Sequence, residues 1–181
     1  MLFVQDVDLT PNPQALKFVL NEKILNHETR SFQNSSKSGN DPLAKGVFDL
    51  PGVVSVFYMD KFITIEKEAA FPWGPIQKGL VTFLKTFDKS TIPVEENVTL
   101  SEDTEQTELL KHINKIIDSR VRPALANDGG GLEILGLDGL TLTIRYQGAC
   151  GSCPSSIRGT LSAIENLLRR EVNPSLCVIS G

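Results

Sequence analysis

The sequence predicts an α+β chain built as two small domains. Each is a small antiparallel or mixed sheet packed with helices, and an acidic linker joins them. Three observations point there. First, β-type runs and runs with 3.6-residue apolar spacing occur in both halves of the chain. Second, the stretch "STIPVEENVTLSEDTEQ", 90–106, is polar and has little periodicity. It opens a run of acids, Glu95, Glu96, Glu102, Asp103, Glu105 and Glu108, with no Lys or Arg among them. Like charges extend such a segment, so it reads as an exposed linker. Third, 181 residues suffice for one large domain or two small ones. The boundaries expected are 1–90, a linker over 91–105, and 106–181.

In the first part, "TPNPQALKFVLN" places Leu16, Val19 and Leu20 at helical spacing, with Thr10 or Asn12 as cap and Pro13 in an early helical position. It is expected to be a helix. "ILNHETRSFQ" is expected to be a strand and "NSSKSGN" a polar loop. "DPLAKGVFDL" predicts a short helix capped by Asp41 with Pro42 at its first position. "PGVVSVFYMDKFITIEKE" holds two β-branched and aromatic runs around Met59-Asp60-Lys61, the pattern of a hairpin. "WGPIQKGLVTFLKTF" sets Ile76, Leu80, Phe83, Leu84 and Phe87 on one helical face.

In the second part, Leu109, Leu110, Ile113, Ile116, Ile117, Val121 and Leu125 keep helical spacing, with a bend or end expected near Pro123. "ANDGGG" suits a helix exit and a tight turn. "LEILGL" and "LTLTIRY" flank Asp138-Gly139, a strong hairpin signal. In the second of these, Leu140, Leu142, Ile144 and Tyr146 alternate with Thr141, Thr143 and Arg145, which gives one buried face. A last helix carries Ile157, Leu161, Ile164, Leu167, Leu168 and Val172 inward, ends at Asn173-Pro174, and leads to a short strand, "LCVI".

The net charge is −4, and its acidic excess lies in the linker region. There is no basic stripe of the kind that binds nucleic acid. No run approaches the length of a membrane span. The start, "MLFVQDVDLTPNP", has neither a secretory pattern nor the basic character of a transit peptide. The expected location is the bacterial cytoplasm, or the mitochondrial matrix if a presequence has been removed. The three cysteines are an odd number, too few for a secreted disulfide framework.

Cys150 and Cys153 stand two residues apart in "QGACGSCPSS", 147–156, where a strand is expected to end and a helix to begin. Gly148 and Gly151 permit a tight turn. Pro154 fits the first helical position, which makes Cys153 the expected cap. The free N–H groups and the positive end of the helix dipole then favour thiolate, the form that ligates metal. They also suit an anionic iron–sulfur cluster. The pair alone does not separate metal binding from dithiol redox chemistry. Redox pairs of this kind usually follow the first strand near a βαβ pattern, whereas a hairpin precedes this one. A tetrahedral metal or a cluster needs four ligands, and both histidines, His27 and His112, lie outside the hairpin–helix unit. Two thiolates from a second copy can complete the set. Such a shared site favours release and transfer over storage.

"GACGSCPSSIRGTL", preceded by "RPALANDGGGLEIL", resembles the C-terminal domain of the NifU-like (Nfu) iron–sulfur proteins. The residues that carry the likeness are Arg122, Pro123, Leu125, Asp128, Gly129, Gly130, Gly148, Cys150, Cys153, Ser156, Thr160 and Leu161. "TPNPQALKF", "DPLAKGVFDLPGVVSVFYMDKFITIEK" and a Trp-led helix resemble the family's N-terminal domain. The resemblance implies a serine at the position of Asp41. It implies a scaffold or carrier that binds a 4Fe–4S cluster between two protomers through Cys150 and Cys153, with 2Fe–2S as the other cluster type. It implies apo iron–sulfur clients and assembly factors as partners, and a homodimer when loaded. Residues 1–90, without cysteine, are expected to dock those partners. A dithiol oxidoreductase and a zinc-stabilised interaction module are the alternative readings.

Other features have plainer expectations. Cys177 reads as a core or edge-strand residue. "DGGG" lacks GK[ST] and precedes a strand, so it reads as a turn. Trp73 and the cluster Phe57, Tyr58, Phe62 and Phe71 read as core, and Lys61 and Lys67 as a solvated edge. No nucleophile–base pair or acid–base carboxylate pair is evident, so no enzyme activity is expected.

Overall fold

The computed structural model describes residues 1–25, 29–93, 105–149 and 154–181, with the backbone alone at 105 and 154–158. The chain forms two compact units, Met1–Glu95 and Glu96–Gly181. His27 and most of the expected linker, residues 94–104, lie outside the described residues.

The first unit holds strands β1 (Val4–Leu9), β2 (Ala15–Leu20), β3 (Thr29–Phe32), β4 (Val53–Met59) and β5 (Phe62–Lys67), and helices α1 (Pro42–Phe48) and α2 (Trp73–Thr86). The strands form one antiparallel sheet in the order β1-β2-β5-β4-β3. Leu16, Phe18, Leu20, Val56, Tyr58, Ile63 and Ile65 from the sheet meet Leu43 and Val47 of α1 and Ile76, Leu80 and Leu84 of α2 in one core. α1 and α2 approach closely at Gly46, where an added Cβ would stand 2.2 Å from the Phe83 ring.

The segment expected to be a helix at residues 10–21 is strand β2. Leu16, Val19 and Leu20 fit helical spacing, but Leu16, Phe18 and Leu20 also fit a period of two. Pairing with β1 and β5 on both sides makes the second period the buried one. The supposed caps instead close the β1–β2 loop. The Thr10 hydroxyl donates to the carbonyls of Asn12 and Ala15 at 2.9 and 3.0 Å, and the Asn12 side-chain oxygen accepts from the Gln14 N–H at 2.9 Å. Ile92, inside the stretch expected to be linker, is 6% exposed and belongs to the first core. Lys67 is not a solvated edge residue. It is buried, with its ammonium on Gln14 Oε1 at 3.0 Å and over the Trp73 ring at 5.3 Å. Phe57, Tyr58 and Phe62 are buried, while Phe71 is 38% exposed.

Asp41 caps α1, as its place before Pro42 predicts, by accepting the Ala44 N–H at 2.8 Å. Its second oxygen accepts from Arg30 Nη1 at 2.8 Å and from the Tyr58 hydroxyl. Arg30 also donates to the Pro93 carbonyl and so fastens the end of the described first unit to its sheet. Arg30, Asp41 and Tyr58 are all buried. Burial, and then the neighbouring Asp41 carboxylate, push the Tyr58 phenol far above its ordinary range, with Arg30 acting weakly the other way.

The second unit contains α3 (Glu105–Ile116), α4 (Arg122–Asn127), β6 (Gly130–Asp138), β7 (Thr141–Gly148), α5 (Pro154–Glu171) and β8 (Cys177–Ser180). Between α3 and α4 the helix widens over Ile117–Val121, and the Arg122 N–H reaches back to the Ile117 carbonyl. Pro123 supplies no N–H to the ladder, and the wide turn accommodates that loss without ending the helical run. β6 and β7 form the hairpin across Gly139 and Leu140, and β8 adds parallel to β7. Ile113, Ile117, Leu125, Leu132, Leu142, Ile144, Ile164, Leu168 and Val178 fill this core.

Replacing Asp41 by Ala removes the α1 cap and leaves the Arg30 guanidinium buried without its carboxylate. The expected loss is about 3–5 kcal/mol, read as a lower urea midpoint for the first unit.

Candidate functional site

β7 delivers the chain to the two cysteines. Its last pairs with β6 are Gly131 with Gln147 and Gly130 with Gly148. Beyond them both strands leave the sheet through left-handed backbone, with φ of 73° at Gly129 and 66° at Gly148. A side chain at either position would be strained, and this is why the sequence places glycine there. The Ala149 N–H then donates to the Gly129 carbonyl at 3.3 Å, and Ala149 is 1% exposed. The entry to residues 150–153 is therefore tied by its backbone to the turn that follows α4.

That turn is itself held. Asp128 ends α4, with its N–H on the Ala124 carbonyl at 3.4 Å, and the Gly129 N–H reaches the Ala126 carbonyl at 3.1 Å. Arg122 donates to the Leu132 carbonyl of β6 at 2.8 Å and to Asp118 at 2.5 Å, which fixes α4 against the hairpin. On the far side of the cysteines, α5 starts at Pro154. α5 runs 18 residues and has Arg169 and Arg170 in its last turn. The positive end of its dipole is at Pro154, the residue that follows the cysteine pair in sequence, and its basic end is stabilised by the same dipole. Cys150 and Cys153, the candidate ligands, lie outside the described residues, as does the expected capping role of Cys153. The strand end before them and the helix start after them stand where the sequence predicted.

His112 is exposed on α3. Cys177 opens β8 and is partly buried, opposite Thr141 of β7. Next to it in β8, the Val178 N–H donates to the Glu165 carboxylate of α5 at 2.9 Å, and Glu165 pairs with Arg169 at 3.0 Å, so it binds α5 to β8. The Val178 N–H is the main influence holding the Glu165 carboxyl below the usual carboxylate range. Partial burial opposes it, and the Arg169 charge and the Cys177 thiol support it.

Sequence reasoning missed Gln147. It is 7% exposed and donates from Nε2 to Glu133 Oε2 at 3.2 Å, while its Oε1 has no partner among the described residues. Its position, directly after inward-facing Tyr146 in an alternating strand, reads as solvent-facing, so period-two patterning does not reveal it.

Two family models match this chain. One is described as the scaffold protein Nfu/NifU N-terminal domain, over residues 4–91, and the other as the NifU-like domain, over 113–179. The chain belongs to the Nfu/NifU-like family. The mitochondrial NFU1 iron-sulfur cluster scaffold homolog of Drosophila willistoni is 35% identical over 173 residues, which cover 93% of this chain and 60% of that protein. The mitochondrial NifU-like protein 5 of Arabidopsis thaliana is 33% identical over 180 residues, 95% of this chain and 65% of that one. The chain thus spans about 60% of the length of the first of these curated relatives. Among solved structures, a NifU-like protein from Saccharomyces cerevisiae matches 45% of this chain and 76% of its own at 27% identity, with a TM-score of 0.41.

Glu165 is held below its ordinary value of 4.5 in the Nfu chain, so it stabilises the fold above that pH and stops doing so as the pH falls through its folded value. Glu165→Gln is therefore expected to flatten the acid limb of the second unit's stability below about pH 4.5. Hydrogen exchange of β8 amides against pH measures this.

Proposed function

We propose that this chain is a non-enzymatic iron–sulfur carrier. Cys150 and Cys153 bind the cluster as cargo, and a second copy supplies the other two thiolates. Apo iron–sulfur proteins are the recipients. The observation that carries this reading is the CxxC pair between a backbone-pinned strand end at Gly148–Ala149 and the start of α5. Backbone N–H groups and the helix dipole at such a junction stabilise thiolate and the negative charge of a cluster. The names of the relatives support the cluster-scaffold role. Among the described residues no helix is long and apolar enough to cross a membrane. A reducing compartment suits free thiolates, and the mitochondrial relatives agree with one of the two compartments expected from the sequence.

Half a ligand set per chain has a chemical consequence. The cluster is held at an interface, and separating the protomers or offering better thiolates from a client releases it. No acid–base or nucleophilic step by the protein is needed for that exchange. A 4Fe–4S cluster shared by two chains contributes about two irons and two sulfides to each.

Anaerobic reconstitution with ferrous iron and sulfide is expected to give a brown protein with that stoichiometry. Cys150→Ser and Cys153→Ser are each expected to abolish it while leaving the fold intact. A colourless wild-type product with free thiols would contradict the proposal. Tight zinc binding under the same conditions would favour a zinc module, and insulin reduction would favour a dithiol oxidoreductase.

A further inference from the structure

β1 is a free edge of the five-stranded sheet, and with six residues it is longer than the other edge, β3, which has four. The direction of its backbone groups follows from the pairing. The Leu20 N–H donates to the Lys61 carbonyl, on the β5 side of β2. Successive residues of a strand point their N–H and C=O groups to alternate sides, so Phe18 and Leu16 also point toward β5. Their cross-strand partners Val7 and Leu9 therefore turn these groups away from β2 and out of the sheet edge. The side chains sort by face. Val7 and Leu9 lie on the helix side with Phe18 and Leu16, yet they are 40% and 86% exposed. With Phe3 they make three of the seven exposed large apolar side chains among the described residues, so the apolar surface of the chain is concentrated at this edge. Asp6 and Asp8 lie on the opposite face. Asp8 pairs with Lys17 at 3.3 Å, and Asp6 Oδ1 accepts the outward Val7 N–H at 2.8 Å.

We propose that the β1 edge docks an extended segment of a partner protein in which basic and apolar residues alternate. Such a segment adds a strand to the sheet. Its backbone groups pair with those of Val7 and Leu9, its apolar side chains cover these two residues, and its cations lie beside Asp6 and Asp8. Asp6 makes the edge selective. While its carboxylate holds the Val7 N–H, a neutral or acidic strand must displace a charged acceptor to pair there. A lysine or arginine draws the carboxylate aside and frees the N–H for the incoming carbonyl. A second copy of this chain is the wrong occupant. Two β1 strands paired antiparallel about Val7 set Asp6 of each against Asp8 of the other, and like charges directly opposite repel. No cysteine takes part, so docking at this edge is independent of the cluster chemistry.

The probe is a fluorescein-labelled peptide that alternates lysine with valine, read by anisotropy against the full-length protein at low salt. Two control peptides carry the same residues in blocks, or glutamate in place of lysine. Amide hydrogen exchange is followed in parallel. The alternating peptide is expected to bind, to slow exchange at Val7 and Leu9, and to bind about tenfold more tightly than either control. Val7→Pro removes an N–H that the β1–β2 ladder does not use, so it is expected to abolish binding and leave the urea midpoint of the first unit unchanged. Asp6→Lys is expected to reverse the preference between the lysine and glutamate peptides. The proposal is overturned if the alternating peptide does not bind, or if it binds without slowing exchange at Val7 and Leu9. Equal binding by Val7→Pro also overturns it, because the peptide would then sit on other acids, such as the run from Glu95 to Glu108. Self-association of the wild type that Val7→Pro removes would assign the edge to a second copy instead. Should Val7→Pro fail to fold, an unchanged peptide preference in Asp6→Lys is the result that rejects the proposal.

Discussion

The hydrogen bond from the Ala149 N–H to the Gly129 carbonyl closes the open end of the β6–β7 hairpin. The geometry around the candidate site depends on it. On one side it holds the turn that ends α4, and on the other it starts the segment that carries both cysteines. Glycine at 129 and 148 supplies the left-handed backbone on either side. Arg122 braces the same corner from α4. The core beneath, with Leu132, Ile144 and Leu168, packs the hairpin against α5.

The first unit contributes no cysteine, and Arg30, Asp41 and Tyr58 form a buried ionic cluster within it. Asp41 serves as helix cap, as counter-ion to Arg30 and as acceptor for Tyr58. Such a cluster adds less to net stability than an apolar replacement often does, but removing one member is costly. It joins β3, β4 and the start of α1 at one point, and through Arg30 it fixes the Pro93 carbonyl where the described part of the unit ends. The aspartate where the family resemblance implies serine therefore brings a second function, a charge for Arg30.

Much of this was legible in the sequence, and the exceptions have physical causes. Asp41-Pro42, Met59-Asp60-Lys61, Asp138-Gly139 and the apolar stripe from Leu109 to Leu125 gave elements that the structure contains, because caps, turns and long amphipathic helices are specified locally. β2 was misread because Leu16, Phe18, Val19 and Leu20 satisfy two periods at once, and only pairing with distant β5 chooses between them. The burial of Lys67 followed from contacts with Gln14 and Trp73 that no local pattern predicts. At the site, the cysteine spacing and the flanking glycines were visible in sequence, whereas the half-satisfied amide of Gln147 emerges only from three-dimensional burial.

The central claim is that each chain supplies two of the four thiolates, so that holding a cluster and pairing two chains are one event. Native mass spectrometry of the anaerobically reconstituted protein tests this most directly. The account predicts one 4Fe–4S unit in a particle of two chains, with cluster loss and chain separation occurring together. A single chain that retains a complete cluster would contradict it.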